Sequence, residues 1–188
     1  LPKTIDNDVF PINQTLGAWS AAEQGAIFFE NIINENTTSD RQLIIHEIMG
    51  RNCGWLAAAT ALEYRKKLNS NHFIPELNIV KEKWDIHAIF LPEIKINFEK
   101  EAVRLKKIMD KYDCVNIFLS EGAGIETIIQ EKKKKGQEIL KDAFGHVRLD
   151  DLNPGKWFAK ELGLKLKANK VLVQKSGYFA RSAKANKK

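Results

Sequence analysis

Chemistry is concentrated in the first eight residues, where Lys3, Thr4, Asp6 and Asp8 bring a cation, a hydroxyl and two carboxylates within six positions. Pro2 fixes its φ angle, and Asp6-Asn7-Asp8 favours a tight polar turn over helix or strand. Carboxylates beside a lysine suit three tasks at once: meeting a magnesium ion, neutralising a phosphate and accepting a proton. The plainer alternative for any Asp-Asn-Asp run is a solvated acidic turn.

Three further polar clusters each follow an apolar run: Met49-Gly50-Arg51, Ser120-Glu121-Gly122, and Tyr178 with Arg181. After a glycine, the Arg51 guanidinium can reach an anion over a closely approaching backbone. Glu121 can accept hydrogen bonds from sugar hydroxyls. Tyr178 and Arg181, three apart, suit a sugar phosphate, with a core aromatic as the alternative for Tyr178. His46 and His87 sit in apolar runs and read as satisfied core histidines, while His72 and His146 fall in loops. No histidines or cysteines share metal-ligand spacing.

The elements that must position these groups alternate along the chain. Gln14–Asn34 fits an amphipathic helix carrying Leu16, Trp19, Ile27, Phe28 and Ile32, despite Gly17 and Gly25. Asn34–Asp40 is a polar loop. Leu43–Ile45 reads as a buried strand running into His46-Glu47-Ile48, and Asn52–Lys67 as a helix. Ile86–Leu91 is a second strand, stopped by Pro92. Phe98, Ala102, Leu105, Met109 and Tyr112, spaced by three and four, give the clearest helix. Val115–Leu119 is a third strand, and a helix from Ile125 runs out in the lysine cluster before Gly136. Asn153-Pro154 starts a helix that Gly163 stops. Val171–Val173 is the last strand. This order predicts an α/β fold with a mainly parallel sheet. In such sheets ligands bind beyond the carboxyl ends of the strands, where all three clusters fall, so they predict one shared crevice.

The 188 residues are 44% hydrophobic and 29% charged, an ordinary globular balance, and no apolar run is long enough to span a bilayer. Cys53 and Cys114 lie in apolar segments and read as buried free thiols of a reducing cytoplasm. The net charge of +6 draws on Lys132–Lys135 and on Lys184, Lys187 and Lys188. No aromatic residues interleave with these lysines, so they read as solvated surface rather than a nucleic-acid face. A phosphate-rich small substrate would also favour a positive site.

The string PKTIDND resembles the phosphofructokinase signature in its diphosphate-dependent form, the ATP-dependent relatives usually having Gly where Lys3 stands. TLGAWSAAEQGA, HEIMGRNCGWLA, SEGA and SGYFARSA extend the resemblance, in the same order, over nearly the whole chain. The resemblance implies a Rossmann-like three-layer αβα fold. It implies reversible phosphoryl transfer from diphosphate to the 1-hydroxyl of fructose 6-phosphate, with Asp6 as proton acceptor. Thr4, Ile5, Asp6, Met49, Gly50, Arg51, Glu121, Tyr178, Phe179, Ala180 and Arg181 would line the sugar-phosphate site. Arg51 would neutralise charge on the transferring group and Lys3 would serve diphosphate. Mg²⁺ would be held mostly by residues of an amino-terminal region that the family has and this sequence lacks, with Asp8 as a neighbour.

By the same resemblance, residues 1–17 are the catalytic loop and linker, 18–170 the sugar-phosphate domain, and 171–188 a returning strand and loop. The expected protein is a cytoplasmic homo-oligomer, dimer or tetramer, binding neither membrane nor nucleic acid, and the chain, which starts on Leu1, is a fragment inactive alone. Two alternatives stay open: an ATP-dependent enzyme, against which Lys3 argues, and a regulatory subunit, against which the retained Asp6 argues.

Overall fold

The computed structural model describes residues 2–140 and 147–186. His146, Lys187 and Lys188 lie outside the described residues. Four parallel strands, β1 (Gln42–Ile48), β2 (Ala88–Phe90), β3 (Cys114–Ser120) and β4 (Lys170–Lys175), form one sheet in the order β2-β3-β1-β4. The helices are α1 (Ala18–Ile33), α2 (Trp55–Leu68), α3 (Lys81–Trp84), α4 (Phe98–Tyr112), α5 (Ile125–Lys134), α6 (Leu149–Leu152), α7 (Pro154–Leu166) and α8 (Gly177–Arg181).

Every residue of β1 and β3 is buried, and alternation assigns each strand's side chains to two cores. Ile44, Ile48 and Phe118 pack with α1 and α2, whereas Leu43, Ile45, Val115, Ile117 and Leu119 pack with α4 and α7. The result is the expected three-layer αβα arrangement. With every strand parallel, the ends of β1, β3 and β4 open onto one edge.

The helix expected over Gln14–Asn34 begins later, at Ala18, because Gly17 precedes it in a left-handed conformation (φ 93°). Its buried stripe is also finer-grained than the large apolar residues suggest: Ala18, Ala21, Ala22, Gly25 and Ala26 are buried, while Leu16 is exposed. Gly25 allows the close approach to α2, since a Cβ there would stand 2.9 Å from Thr60 Cγ2.

α4 matches its prediction to the residue. Asn97 accepts a hydrogen bond from Lys100 N at 3.1 Å at its start, and Asp113 closes its end with φ 58°. α7 starts where Asn153-Pro154 predicts, but Gly163 does not stop it. The helix continues to Leu166 and ends at Lys167, whose φ is 54°. Gly163 instead permits close packing, its absent Cβ position being 3.2 Å from Val171 on β4. No helix among the described residues is long and apolar enough to cross a membrane.

Candidate active site at the carboxyl edge of the sheet

The amino-terminal loop is built around Thr15 and Asn7. Thr15 is buried; its hydroxyl donates to Thr4 O at 2.6 Å, and its backbone N–H donates to the Asn7 side-chain oxygen at 2.8 Å. Asn7 sits at φ 54° and donates to Asn13 O at 3.1 Å, while Leu16 N donates to Pro2 O at 2.9 Å. Ile5 packs into the core between α1 and α2, anchoring the loop there.

These contacts hold Asp6 half-buried, its backbone N–H bonded to the Thr4 hydroxyl at 3.2 Å. Its Oδ1 is buried with no hydrogen-bond partner among the described residues. Burial raises the Asp6 pKa above the usual carboxylate value, Asp8 raises it further, and the Arg181 guanidinium pulls it back. An open acceptor oxygen with a raised pKa is the arrangement a general base needs.

At the strand ends, β1 and β3 are locked through their glycines. The Ser120 hydroxyl donates to Gly50 O at 2.6 Å, Glu121 N donates to Ile48 O at 2.9 Å, and Gly50 N donates to Glu121 Oε1 at 3.3 Å. Gly50 has φ 131°, and a Cβ there would lie 2.3 Å from Cys53 O. A Cβ on Gly122 would lie 1.7 Å from Arg51 O. Burial raises the Glu121 pKa, opposed by the Gly50 N–H; the Asp6 and Glu47 carboxylates also raise it, and Arg51 lowers it. Asp6, Arg51, Glu121 and Arg181 therefore share one electrostatic neighbourhood.

Beyond these ends lies a cavity of about 260 Å³ lined by Ile48, Met49 and Glu121, by Lys175, Gly177, Tyr178, Phe179 and Arg181 from β4 and α8, and by Glu47, Leu149 and Pro154. Each of the three predicted clusters reaches this cavity, through Met49, Glu121, and Tyr178 with Arg181, but Arg51 does not line it.

The Phosphofructokinase family profile matches residues 1–152. The chain belongs to the phosphofructokinase family. It is 59% identical over 186 residues to the pyrophosphate–fructose 6-phosphate 1-phosphotransferase of Methylomonas methanica and 56% identical to that of Methylotuvimicrobium alcaliphilum, covering 99% of this chain and 46% of each relative. It therefore spans about half the length of the curated relatives it matches. Among solved structures, the pyrophosphate-dependent phosphofructokinase of Marinobacter aquaeolei superposes with a TM-score of 0.58 at 25% identity, over 97% of this chain and 37% of the other. That of Nitrosospira multiformis gives 0.61 at 22% identity, over 99% and 39%, and supports the fold.

In this phosphofructokinase chain the predicted site residues divide by position. Met49, Glu121, Tyr178, Phe179 and Arg181 line the first cavity. Arg51 lines a second cavity of about 500 Å³, with Pro92, Glu93, Lys95 and Glu126 among its walls. Gly50 is buried behind Glu121. Ala180 points inward and is 5% exposed, so it seats α8 on the core. Tyr178–Arg181, expected on a loop after the strand, form the short helix α8. Tyr178 is 85% exposed and its ring stands 5.8 Å from the Arg181 guanidinium, which excludes the core-aromatic alternative. Lys3 is exposed on the loop, bridged to Leu16.

His46 is fully buried and stacks on Phe29. Its Nε2 meets the Ser176 hydroxyl at 2.8 Å, but Nδ1 has no partner among the described residues, so it is a core histidine only half satisfied. Burial pushes its pKa down to about 3. His87 is satisfied on both nitrogens, accepting from Asn116 N at 2.8 Å and meeting Glu82 O at 2.9 Å. Cys114 is a buried free thiol with its pKa raised to about 12, whereas Cys53, also free, is only half-buried.

Sequence reasoning missed Glu47, Lys175, Asn7 and Thr15. Glu47 and Lys175 were legible only as charges at the ends of apolar runs. Their meeting depends on β1 and β4 being neighbours, which local pattern does not reveal.

Among the described residues no three His, Cys, Asp or Glu side chains converge to hold a metal. Asp6 and Asp8 amount to the one or two carboxylates with which a protein meets Mg²⁺ when substrate phosphates supply most of the remaining oxygens.

Proposed function

We propose that the full-length protein carries out reversible phosphoryl transfer between diphosphate and fructose 6-phosphate, this chain supplying the sugar-phosphate site and the base. The observation that carries the reading is the buried Asp6 oxygen, without a hydrogen-bond partner among the described residues, held in the electrostatic reach of Arg181 and Glu121 at the carboxyl edge of the sheet. Asp6 takes the proton of the 1-hydroxyl as that oxygen forms its bond to phosphorus. The bond from phosphorus to the bridging oxygen breaks, and inorganic phosphate leaves with the electron pair. Such transfers depend on in-line positioning and charge neutralisation. Arg51, whose charge acts on Glu121, and Lys3 on the loop supply cations for the transferring and leaving groups. Asp8, exposed on the same loop, would meet a Mg²⁺ arriving with the diphosphate, and the ion would neutralise phosphate charge.

High identity to relatives named for diphosphate supports the donor assignment, as does Lys3. The free thiols support a reducing cytoplasm. A homo-oligomer, dimer or tetramer, completes the reading by family resemblance.

The test is turnover of the full-length protein on fructose 6-phosphate with diphosphate or ATP as donor, together with Asp6→Asn. Turnover is expected with diphosphate, and Asp6→Asn should lower it by about 10²–10⁴-fold while sugar-phosphate binding persists. Turnover with ATP alone would overturn the donor assignment. Sugar-phosphate binding without turnover on either donor would identify a regulatory subunit.

A further inference from the structure

Glu47 and Lys175 face each other across the β1–β4 register, one residue inside the carboxyl end of β1 and at the last residue of β4. Glu47 is 6% exposed, and both of its oxygens are committed. Oε2 accepts from Gly155 N at 3.0 Å, and Oε1 pairs with Lys175 Nζ at 2.7 Å. Gly155 makes this possible, because a Cβ there would stand 2.1 Å from Oε2. The carboxylate is therefore a fixed anchor in the sheet.

Its partner is not enclosed. The Lys175 side chain is 52% exposed, and Lys175 lines the same cavity as Tyr178 and Arg181. An ammonium has three N–H donors, and Glu47 Oε1 occupies one of them. The wall carries Glu47 and Glu121 against Lys175 and Arg181, so without Lys175 a fully ionised wall would be net negative toward any anion. A phosphate monoester brings a charge of about −1.5 to −2 at neutral pH, more than one guanidinium offsets.

We propose that Lys175 is a substrate-binding residue, a second cation beside Arg181 for the 6-phosphate of fructose 6-phosphate, held in place by Glu47. The proposal rests on the function proposed above and adds to it a residue that binds the sugar phosphate rather than the donor.

The experiment compares Lys175→Gln, Lys175→Arg and Arg181→Ala with the unaltered full-length enzyme, measuring KM for each substrate, kcat and thermal stability. Glutamine removes the charge and keeps an N–H for Glu47. Lys175→Gln is expected to raise KM for fructose 6-phosphate about tenfold or more, with the loss falling on KM rather than kcat and KM for diphosphate unmoved. Lys175→Arg, which keeps the charge and tests the site should glutamine fail to fold, is expected to retain most of the affinity. An unchanged sugar-phosphate KM in a folded Lys175→Gln enzyme, with Arg181→Ala still raising it, overturns the role of Lys175 and leaves the function standing. Equal rises for both substrates also overturn it, by showing a general effect on the fold. If neither variant changes sugar-phosphate KM, the cavity is not the sugar-phosphate site and both readings fall.

Discussion

Gly122→Ala tests whether the strand-end lock sets the site geometry. The added Cβ would sit 1.7 Å from Arg51 O and 2.5 Å from Arg51 C, both backbone atoms that no rotamer change can move aside. Reaching even 3.0 Å from the oxygen requires the Met49-Gly50-Arg51 segment and the Glu121 turn to separate by about 1.3 Å. That separation strains the Glu121 N to Ile48 O bond and the Ser120 hydroxyl to Gly50 O bond, at 2.9 and 2.6 Å. Overpacking of this kind costs about 1–3 kcal/mol, and the upper half applies where backbone must move. For a domain of this size that corresponds to a fall in Tm of roughly 4–12 °C. A displacement of about 1 Å at a positioning residue also costs on the order of 10²-fold in rate. The assay is thermal unfolding together with kcat/KM for fructose 6-phosphate on the full-length enzyme. A variant melting within about 2 °C of the original, with kcat/KM within about threefold, would refute the argument that the lock positions Arg51 against Glu121.

Asp8→Asn removes a carboxylate that raises the Asp6 pKa. A base must be deprotonated to act, so the acid limb of the kcat profile should move to lower pH; a limb that stays or rises would show that Asp6 is not the group titrating. Burial keeps His46 neutral in the folded protein, with a pKa near 3 against 6.5 for the free side chain. The unfolded chain therefore binds a proton that the native state refuses, and stability is lost as pH falls from about 6.5 toward 3. His46→Gln should flatten that slope in chemical denaturation measured at several pH values, and an unchanged slope would assign the acid sensitivity to other groups.

Much of the scaffold was legible because it is written locally. The apolar spacing of α4 marks both its extent and the face, Ala102, Leu105 and Met109, that it buries. The strands were recognised by their apolar centres; β1, β3 and β4 are longer than those centres, whereas β2, expected over Ile86–Leu91, is only Ala88–Phe90. Gln42, Ser120 and Lys175 belong to the ladders, because hydrogen bonding rather than side-chain polarity decides where a buried parallel strand ends. Gly163 misled for a physical reason: the same small residue serves as a helix terminator and as a close-packing contact, and only the position of Val171 tells them apart. The loop's hydroxyl and carboxylates were visible as chemistry, but the Thr15 and Asn7 contacts that hold Asp6 span eight to eleven residues and carry no periodic signal.

The way each functional group is attached predicts which changes separate binding from turnover. The end of β1 is the common tie of the sugar-phosphate wall: Ile48 and Gly50 hold the Glu121 turn, Glu47 O accepts from Ser176 N at 3.4 Å, and His46 meets the Ser176 hydroxyl at the start of α8. Glu121 and Arg181 are thereby referred to one strand, and a shift of β1 moves both. Asp6 is attached elsewhere, through Ile5 to the core between α1 and α2 and through Thr15 to the entrance of α1. Its coupling to the wall is electrostatic, through Arg181 and Glu121, with no hydrogen bond joining Asp6 to either among the described residues. Replacing the Asp6 carboxylate by an amide therefore leaves the wall in place, and the loss should fall on turnover. Changes at the end of β1 alter the wall itself, and the loss should reach sugar-phosphate affinity as well.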